Sequence, residues 1–345
     1  MSALFTCPMP LAADRVLLGH GSGGKLSAQL MRSVFLPAFQ NATLARMDDQ
    51  AVVSMKGRIA FTTDSFVVKP LFFRGGDIGS LSVHGTVNDL AMGGATPMFL
   101  STAFIIEEGF PMDSLQKIVS SLGRAADVCG VQVVTGDTKV VDKGSGDGVF
   151  INTTGLGLVP DGVVLSADQA RPGDAVILSG PIGEHGIAIL AEREGLEFDI
   201  PVQSDSAPLH MLVADMLQFP QAIRCLRDPT RGGVSSSLNE IAAQSKVGIR
   251  IDERSIPIRE EVRGACEMLG LDPLYVANEG KLLAIVDPTA ADALVDVMRK
   301  NPLGREARRI GTVTESDPGW VSIRTVLGTT RIVDMLAGDQ LPRIC

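Results

Sequence analysis

The sequence is poor in the residues that build aromatic, disulfide and membrane structures. Its 345 residues include one Trp, one Tyr, five Cys and four His. So few aromatic side chains argue against stacking on single-stranded nucleic acid, and a net charge of −9 argues against polyanionic partners in general. No apolar run reaches the roughly 18 residues that a membrane span needs. We therefore expect neither a nucleic acid nor a membrane as partner.

The cysteines are scattered and include no CxxC pair. They are Cys7, Cys129, Cys225, Cys266 and Cys345. An odd, dispersed set disfavours a disulfide framework or a zinc site and favours a reducing cytoplasm. The first residues also lack a basic segment followed by an apolar stretch, so we expect no signal peptide. Cys345 does not fit prenylation, which requires the Cys four residues from the end.

Helix-like and strand-like segments alternate along the chain, which predicts an α/β (α+β) fold in two domains. In the first half, strands are predicted at 57–68, 98–106, 131–141 and 148–159, and helices at 76–94 and 112–130. A second unit starts its own strand at Ala175, with helices near 183–194, 209–218, 235–244 and 259–270 and strands near 281–287 and 309–315. The expected divisions are a glycine-rich leader at 1–42, domains at 43–165 and 166–335, and a tail at 336–345.

The leader contains "GHGSGGK", residues 19–25, between an apolar run and a helix-like run. This spacing nearly fits both the dinucleotide fingerprint and the P-loop. A P-loop needs Ser or Thr after the Lys, but Leu26 follows here, and no βαβ unit is evident before Pro37. Two interpretations stay open, a mobile surface loop and a flexible phosphate cover in which Lys25 and backbone amides meet anionic oxygens.

Aspartates recur where turns are expected, often beside Gly, Thr or Asn. They are Asp48, Asp49, Asp64, Asp89, Asp137 and Asp228. Each alone is typical of a helix cap or a turn. Together they could hold Mg²⁺ against a triphosphate, because hard divalent cations take oxygen ligands. The residues themselves thus indicate an α/β protein that binds a nucleotide.

Longer motifs carry a more specific resemblance. In chain order they are "GHGSGGK", "TTDSFVVKPLFFRGGDIGSLSVHGTVNDLAMGGATP", "GDTKVV", "DPTRGG", "NEGKL" and "PRIC". This set resembles the HypE hydrogenase maturation factors of the ATP-dependent aminoimidazole ribonucleotide synthetase and selenophosphate synthetase superfamily. The similarity runs from about Gly19 to Cys345, and "PRIC" is its most specific part. The selenophosphate synthetases carry a reactive Cys or selenocysteine in the glycine-rich part of the leader, whereas here "GSGGK" contains none and Cys7 lies well upstream.

The resemblance implies a two-domain PurM-like fold, a homodimer formed through the sheet of an ATP-binding N-terminal domain, and a flexible C-terminal tail. It also implies a reaction. The carbamoyltransferase HypF would charge the Cys345 sulfur, and ATP would then drive dehydration of the thiocarboxamide to S-cyanocysteine. The cyano group would pass to the HypC–HypD complex and become an iron ligand of nickel–iron hydrogenase.

By the same resemblance we expect particular residues to form the site. Catalytic groups would be Cys345, Lys139 and Glu279, with Cys345 modified. Contacts to ATP would come from Gly21, Gly23, Gly24, Lys25, Asp49, Asn88, Lys139 and Asp228, and Mg²⁺ ligands from Asp48, Asp64, Asp89 and Asp137. Lys139 would stabilise charge on the carbonyl oxygen or the phosphate, and Glu279 would take a proton from the carbamoyl nitrogen.

Several of these residues also have an interpretation in which they serve only the fold. Lys139 fits a solvated lysine at a strand end, Glu279 fits a turn, and His20 and His84 fit structural polar residues. Cys129, Cys225 and Cys266 lie in apolar-periodic segments, which favours packing. Two other functions stay open, another amide-activating synthetase of the same superfamily and a non-catalytic maturation scaffold. A substrate carried on Cys345 distinguishes the first of these from the expected reaction.

Overall fold

In the computed structural model the described residues are 13–196 and 200–336. They form two α/β units that follow each other along the chain, each with its own sheet. The predicted α/β class is therefore confirmed. Cys345 lies outside the described residues, as does the expected tail after Leu336.

The helices and strands follow the predicted alternation. The strands are β1 (Arg58–Phe66), β2 (Phe72–Phe73), β3 (Gly76–Asp77), β4 (Thr96–Glu107), β5 (Gln132–Val141), β6 (Val149–Val159), β7 (Ala175–Leu178), β8 (Ile223–Arg227), β9 (Gly248–Asp252), β10 (Leu283–Val286), β11 (Arg308–Thr314), β12 (Val321–Arg324) and β13 (Thr330–Ile332). The helices are α1 (Lys25–Leu30), α2 (Leu36–Phe39), α3 (Ile78–Met92), α4 (Met112–Cys129), α5 (Glu184–Glu194), α6 (His210–Met216), α7 (Gly233–Ser245), α8 (Glu260–Leu269) and α9 (Ala291–Lys300). A π-helical turn, Met31–Phe35, joins α1 to α2.

The first unit is built on a four-stranded sheet in the order β1-β6-β4-β5. Its strands are antiparallel except for the parallel β4–β5 pair. Because side chains alternate along a strand, one face packs on α3 and α4 and the other faces outward. The inward face buries Phe66, Leu100, Phe104 and Ile151. On the outward face Phe61 is 70% exposed.

Helix α3 lies between this sheet and the second unit. Asp77 caps its start, accepting from the backbone amides of Gly79 at 2.7 Å and Ser80 at 3.1 Å. Most of its residues are buried, since the helix packs on β1 and β6 on one side and contacts α6 and β8 on the other. Burial of a helix on nearly all sides is typical of such a central position.

The second unit is built on a seven-stranded sheet in the order β13-β12-β9-β11-β7-β10-β8. Strands β7 and β10 are buried along their whole length. The sequence did not lead us to predict β8, β9, β12, β13 or α9. Strand β8 matters most for the site, because it ends directly before Asp228. Among the described residues, no helix is both long and apolar enough to cross a bilayer.

Candidate active site

Strand β1 and helix α3 bring two of the expected aspartates together. The hydroxyl of Thr62 donates to the Asp89 carboxylate at 2.9 Å. Burial raises the pKa of Asp89, and the charge of Asp64 raises it further, against the Thr62 bond and two arginines, Arg227 and Arg231. Burial also raises the pKa of Asp64. The expectation that aspartates lie in turns is wrong for Asp64 and Asp89, because both lie inside regular elements.

Two further carboxyl groups of the second unit join this pair. Asp228 follows β8, and burial, then the charge of Asp89, raises its pKa to about 7. Glu279 is 3% exposed, and burial together with the neighbouring aspartates raises its pKa well above the usual range. We call Asp64, Asp89, Asp228 and Glu279 the buried carboxylate group. Such mutual repulsion in a sheltered place is typical of a site prepared for a cation or for proton transfer.

The "DPTRGG" and "NEGKL" motifs meet because Asn278 joins them. Its side-chain amide donates to the backbone oxygen of Pro229 at 2.9 Å, and its backbone amide donates to the same oxygen at 3.1 Å. The Asn278 side-chain oxygen accepts from the backbone amide of Gly183 at 2.7 Å. Asp228 and Glu279 are neighbours of the two bonded residues, so Asn278 fixes the spacing of these two carboxyl groups.

A cleft of about 760 Å³ opens between the two units beside this group. Asp89, Asp228 and two arginines, Arg227 and Arg231, contribute to its walls. Arg227 forms an ion pair with Glu240, which also lines the cleft. The cleft therefore offers both carboxylate oxygens and cationic groups, the combination that a nucleotide with a divalent cation requires.

The leader and strand β5 hold a second set of expected residues. A 3-10 turn, Leu18–Gly21, lies against β5, and a Cβ at Gly21 would collide with the backbone nitrogen of Val140. Gly21 is thus placed directly beside Lys139. The ammonium of Lys139 is 3.2 Å from the Asp137 carboxylate, and both side chains are largely exposed. Asp137 lies inside β5 rather than in the turn that the sequence suggested.

The other leader residues expected in the site are open to solvent. Gly23, Gly24 and Lys25 are exposed, and a Cβ at either glycine would meet nothing within 4 Å. Asp48 and Asp137 line a small cavity of about 150 Å³, and Asp49 is exposed beside it. We call Gly21, Gly23, Gly24, Lys25, Asp48, Asp49, Asp137 and Lys139 the leader–β5 group. From residue 13 onward, an isolated bridge at Arg15 rather than a strand precedes the loop, so neither dinucleotide nor P-loop architecture is formed there.

The two groups occupy opposite edges of the four-stranded sheet. Asp64 on β1 pairs with Thr153 on β6, which pairs with Thr102 on β4, which in turn pairs with Gly136 on β5. Three steps of about 4.8 Å separate the edges by about 14 Å. Across the described ranges, no three His, Cys, Asp or Glu side chains gather closely enough to hold a metal ion alone.

The carboxylates nevertheless fit Mg²⁺ of the kind that accompanies a nucleotide. Mg²⁺ usually keeps several waters and binds through one or two carboxylates plus phosphate oxygens, so a closed protein cage is not required. The raised pKa values of Asp64, Asp89 and Asp228 show that negative charge in this place lacks full compensation. A divalent cation would supply it.

Other expected residues have structural contacts. The Asn88 side chain is 1% exposed and donates to the backbone oxygens of Ala207 at 3.1 Å and Glu279 at 3.3 Å. Its oxygen accepts from the backbone amide of Leu209 at 2.7 Å. Asn88 therefore joins α3 to the second unit, where we had expected a contact to ATP. His84 lies 3.0 Å from the Ser206 hydroxyl, and burial lowers its pKa to about 4.

His20 and the three described cysteines are also engaged in the fold. The His20 ring accepts from the backbone amide of Leu17 at 2.9 Å. Cys129, Cys225 and Cys266 are buried free thiols, and burial raises the pKa of each, to about 12, 12 and 11 respectively. Thiols so far from ionisation are poor nucleophiles.

Asp205 is a buried carboxylate that sequence patterns do not indicate, and it contacts the "NEGKL" segment at three places. It lies in the irregular segment before α6, and nothing in its neighbours "QSDSAP" marks it as different from a turn residue. The one available signal was Lys281, which follows Glu279 by two residues within a motif. A lysine in an otherwise apolar strand start implies a buried acidic partner.

Two sheets with a carboxylate-lined cleft between them define the class of protein. Residues 47–159 match the model of the AIR synthase related protein N-terminal domain, and residues 171–322 match the model of its C-terminal domain.

Closer relatives define the family within that class. The chain is 56% identical over 340 residues to the carbamoyl dehydratase HypE of Cupriavidus necator, covering 98% of this chain and 97% of the relative. It is 55% identical over 339 residues to that of Rhizobium leguminosarum bv. viciae, with the same coverage. The chain belongs to the HypE family of carbamoyl dehydratases, which are hydrogenase maturation proteins.

Solved structures support the same family and fold. A crystal structure of the hydrogenase maturation protein HypE in complex with ATP has a TM-score of 0.93 and 49% identity, covering 95% of this chain and 99% of that chain. HypE in a crystal structure of a HypE–HypF complex has a TM-score of 0.80 and 50% identity, covering 89% and 99%. The predicted PurM-like fold and the predicted family are thereby confirmed.

Proposed function

We propose that this chain uses ATP to dehydrate a carbamoyl group carried on the sulfur of Cys345, which gives S-cyanocysteine. The γ-phosphoryl group passes to the carbamoyl oxygen, the two protons leave the nitrogen, and the C–O bond breaks as the C≡N bond forms. The oxygen departs in inorganic phosphate. Phosphoryl transfer is needed because oxide itself is a very poor leaving group, and the protein contributes positioning and charge stabilisation.

The observation that carries this proposal is the environment of Glu279. Its carboxyl group is buried, and its pKa is raised well above the usual range by burial and by Asp228, Asp205, Asp64 and Asp89. A divalent cation beside Asp64 and Asp89 would offset the neighbouring negative charge and favour the ionised form of Glu279, and an ionised carboxylate of raised pKa is a stronger base for a proton of the carbamoyl nitrogen. We assign Glu279 the role of general base.

We assign ATP and Mg²⁺ to both groups of site residues. Asp64 and Asp89 of the buried carboxylate group and Asp48 and Asp137 of the leader–β5 group would hold Mg²⁺, which when bound neutralises phosphate charge. Asp228 contacts the nucleotide, as do Gly21, Gly23, Gly24, Lys25 and Asp49. Lys139 stabilises charge on the transferring phosphoryl group or the carbonyl oxygen. For Asn88 we propose a supporting role, because its amide is occupied by backbone groups.

We further propose that the chain acts as a homodimer formed through the outward face of the four-stranded sheet. The strand register places Ile59 and Phe61 of β1 beside Leu158 and Leu156 of β6, and Phe99 of β4 beside Leu156. Ile59 is 51% exposed and Phe61 70% exposed, so this face presents a continuous apolar strip. Such a strip is typical of a protein interface. Association there brings the leader–β5 group of one chain to the buried carboxylate group of the other.

The group carried on Cys345 needs a protein that supplies it and a protein that accepts it. HypF would supply the carbamoyl group to Cys345, in line with the HypE–HypF complex among the solved structures. The HypC–HypD complex would accept the cyano group for the iron of nickel–iron hydrogenase. We place the chain in the cytoplasm, in keeping with the free thiols of Cys129, Cys225 and Cys266. The divisions proposed from the sequence, at 43–165 and 166–335, each enclose one of the two sheets.

Intact-mass spectrometry tests the proposal. The full chain is incubated with HypF, carbamoyl phosphate and ATP, and the mass should rise by one carbamoyl group and then fall by one water. Peptide mapping should place both changes on Cys345, and Cys345→Ala should show neither. Full turnover by Cys345→Ala on a diffusible amide would instead identify another amide-activating synthetase.

A further inference from the structure

The carboxylate of Asp205 brackets the backbone of Glu279. One oxygen accepts from the Glu279 amide at 3.1 Å, and the other accepts from the Gly280 amide at 3.2 Å. These two N–H groups belong to the peptide units on either side of the Glu279 Cα. Holding both units fixes the two backbone dihedrals at that carbon and therefore the direction in which the side chain leaves the backbone.

The opposite side of the same residue is held as well. The Glu279 carbonyl oxygen accepts from the Asn88 side-chain amide at 3.3 Å and from the Ala207 backbone amide at 3.3 Å. A Cβ at Gly280 would collide with the backbone oxygen of Asp205, so the two segments approach as closely as a missing side chain permits. Glu279 thus has its backbone restrained from Asp205, Asn88 and Ala207 together.

Charge pairing keeps Asp205 ionised in this position. The Lys281 ammonium lies 3.0 Å from Asp205 and 3.1 Å from Glu184, and the Asp205 side chain is only 2% exposed. Burial alone would raise the pKa of Asp205, but Lys281, His185 and the bonded amides outweigh it, so the pKa is lowered. An ionised carboxylate accepts stronger hydrogen bonds from amides than a neutral acid.

Charge neutralisation of Lys281 does not by itself account for this geometry. A carboxylate serving Lys281 alone could bind it with one oxygen and leave the other to solvent. Here both oxygens are directed to consecutive amides around one residue, and that residue carries the proposed catalytic carboxylate. We propose that Asp205 is a positioning residue that orients the Glu279 carboxylate for proton removal from the carbamoyl nitrogen. This inference rests on the catalytic role given to Glu279 above.

A double-mutant cycle separates positioning from general stabilisation. The variants are Asp205→Asn, Glu279→Gln and their combination, each charged by HypF with carbamoyl phosphate and followed by mass spectrometry at saturating ATP. Misplacement of a reacting group by about 1 Å can cost about 100-fold in rate, so Asp205→Asn should slow dehydration by about 10- to 100-fold. In the Glu279→Gln background the same change should alter the rate by less than about twofold. The dissociation constant for ATP should stay within about twofold throughout.

Asp174 supplies a matched control. It is also a buried carboxylate that accepts from a backbone amide, that of Arg171 at 2.8 Å, and it pairs with Arg224. Asp174 directly precedes the Ala175 end of β7. The other end of β7, at Leu178, pairs with Leu283 near Glu279, so Asp174 lies away from the site. Asp174→Asn should lower the melting temperature yet leave the dehydration rate of folded protein within about twofold in both backgrounds.

The outcomes are distinct. An unchanged rate in Asp205→Asn, or an equal loss with and without Glu279, overturns the positioning role. A wild-type rate in Glu279→Gln alone overturns the catalytic assignment and the positioning role with it. If Asp205→Asn does not fold because Lys281 keeps only Glu184 of its two carboxylate partners, the double variant Asp205→Asn/Lys281→Gln takes the place of Asp205→Asn in the same cycle.

Discussion

The two groups of expected site residues differ in how far the fold prepares them. The buried carboxylate group lies at the cleft between the units, and its members have raised pKa values. In the leader–β5 group the Lys139 and Asp137 side chains are 64% and 62% exposed, and Gly23, Gly24 and Lys25 are exposed as well. One group is built by packing within a chain. The other lies on an exposed surface of the chain.

Complementation between chains should give the largest effect. Lys139→Ala and Glu279→Gln should each slow dehydration by about 100-fold or more, because the proposed mechanism has each of these groups act on the reacting atoms. If the two groups meet across a dimer, mixing the variants should restore about a quarter of the wild-type active sites. In a random mixture half of the dimers are mixed, and half of their sites are intact. Dehydration is followed by mass spectrometry after subunit exchange.

The reverse result is equally informative. If both residues act within one chain, every site in the mixture lacks one of them, and the rate should stay at the level of the single variants. Each variant mixed with wild-type chain serves as the control for subunit exchange.

Alanine substitutions at Gly280 and Gly264 compare the free energy of unfolding at the packed side of the site with that at an open surface. Gly280→Ala would place a Cβ against the Asp205 backbone oxygen and should lower the free energy of unfolding by about 2–3 kcal/mol. Gly264→Ala lies in α8 with nothing within 4 Å and should raise it by about 0.5–1 kcal/mol, since Ala favours helix. Urea unfolding measures both. Equal effects from the two substitutions would contradict the close packing at Gly280.

The pH dependence of stability that arises from Asp228 should be a smaller effect, and its sign follows from the raised pKa. Its folded pKa of about 7 exceeds the ordinary value of 3.8, so between these values the folded protein holds a proton that the unfolded chain releases. Stability from this group is therefore present at low pH and lost as the pH rises through about 7. Asp228→Asn should raise the melting temperature of the nucleotide-free protein by about 3–6 °C at pH 8 and have little effect at pH 4.

The same measurement on Asp137→Asn gives the contrast between the two groups. Asp137 is exposed and paired with Lys139 at the surface, so its substitution should change the melting temperature by less than about 1 °C at either pH. A large stabilisation there would mean that the leader–β5 group is as crowded with charge as the buried one.

Much of the local structure was predictable from short-range patterns. Helix α3 was expected from its apolar run and its two closing glycines, and α4 from its ending at Gly130, which adopts φ 67°. Strands β1, β4, β5 and β6 were expected from β-branched and apolar residues. Strand β8 and helix α9 were not predicted. In α9 the buried Leu294, Val295 and Met298 do carry a helical period.

The site was less predictable, because its geometry depends on long-range pairing. Asp64 and Asp137 look alike in sequence, because each lies next to a threonine within a strand-like segment. They lie on opposite edges of one sheet because β6 and β4 pair between their strands. Asn88 looks like a ligand contact beside Asp89, yet its amide joins two backbone segments more than a hundred residues away in the chain.

By itself the sequence determined the fold class and the family, because motifs and hydrophobic periods are local properties of the chain, and it supplied the candidates for the reactive side chains. The tertiary structure alone decided which carboxylates repel one another, which are exposed, and that Asp205 holds the backbone of Glu279. The physical reason is that burial and charge coupling depend on distances in space, and residues 64, 89, 205, 228 and 279 become neighbours only when the two units pack together.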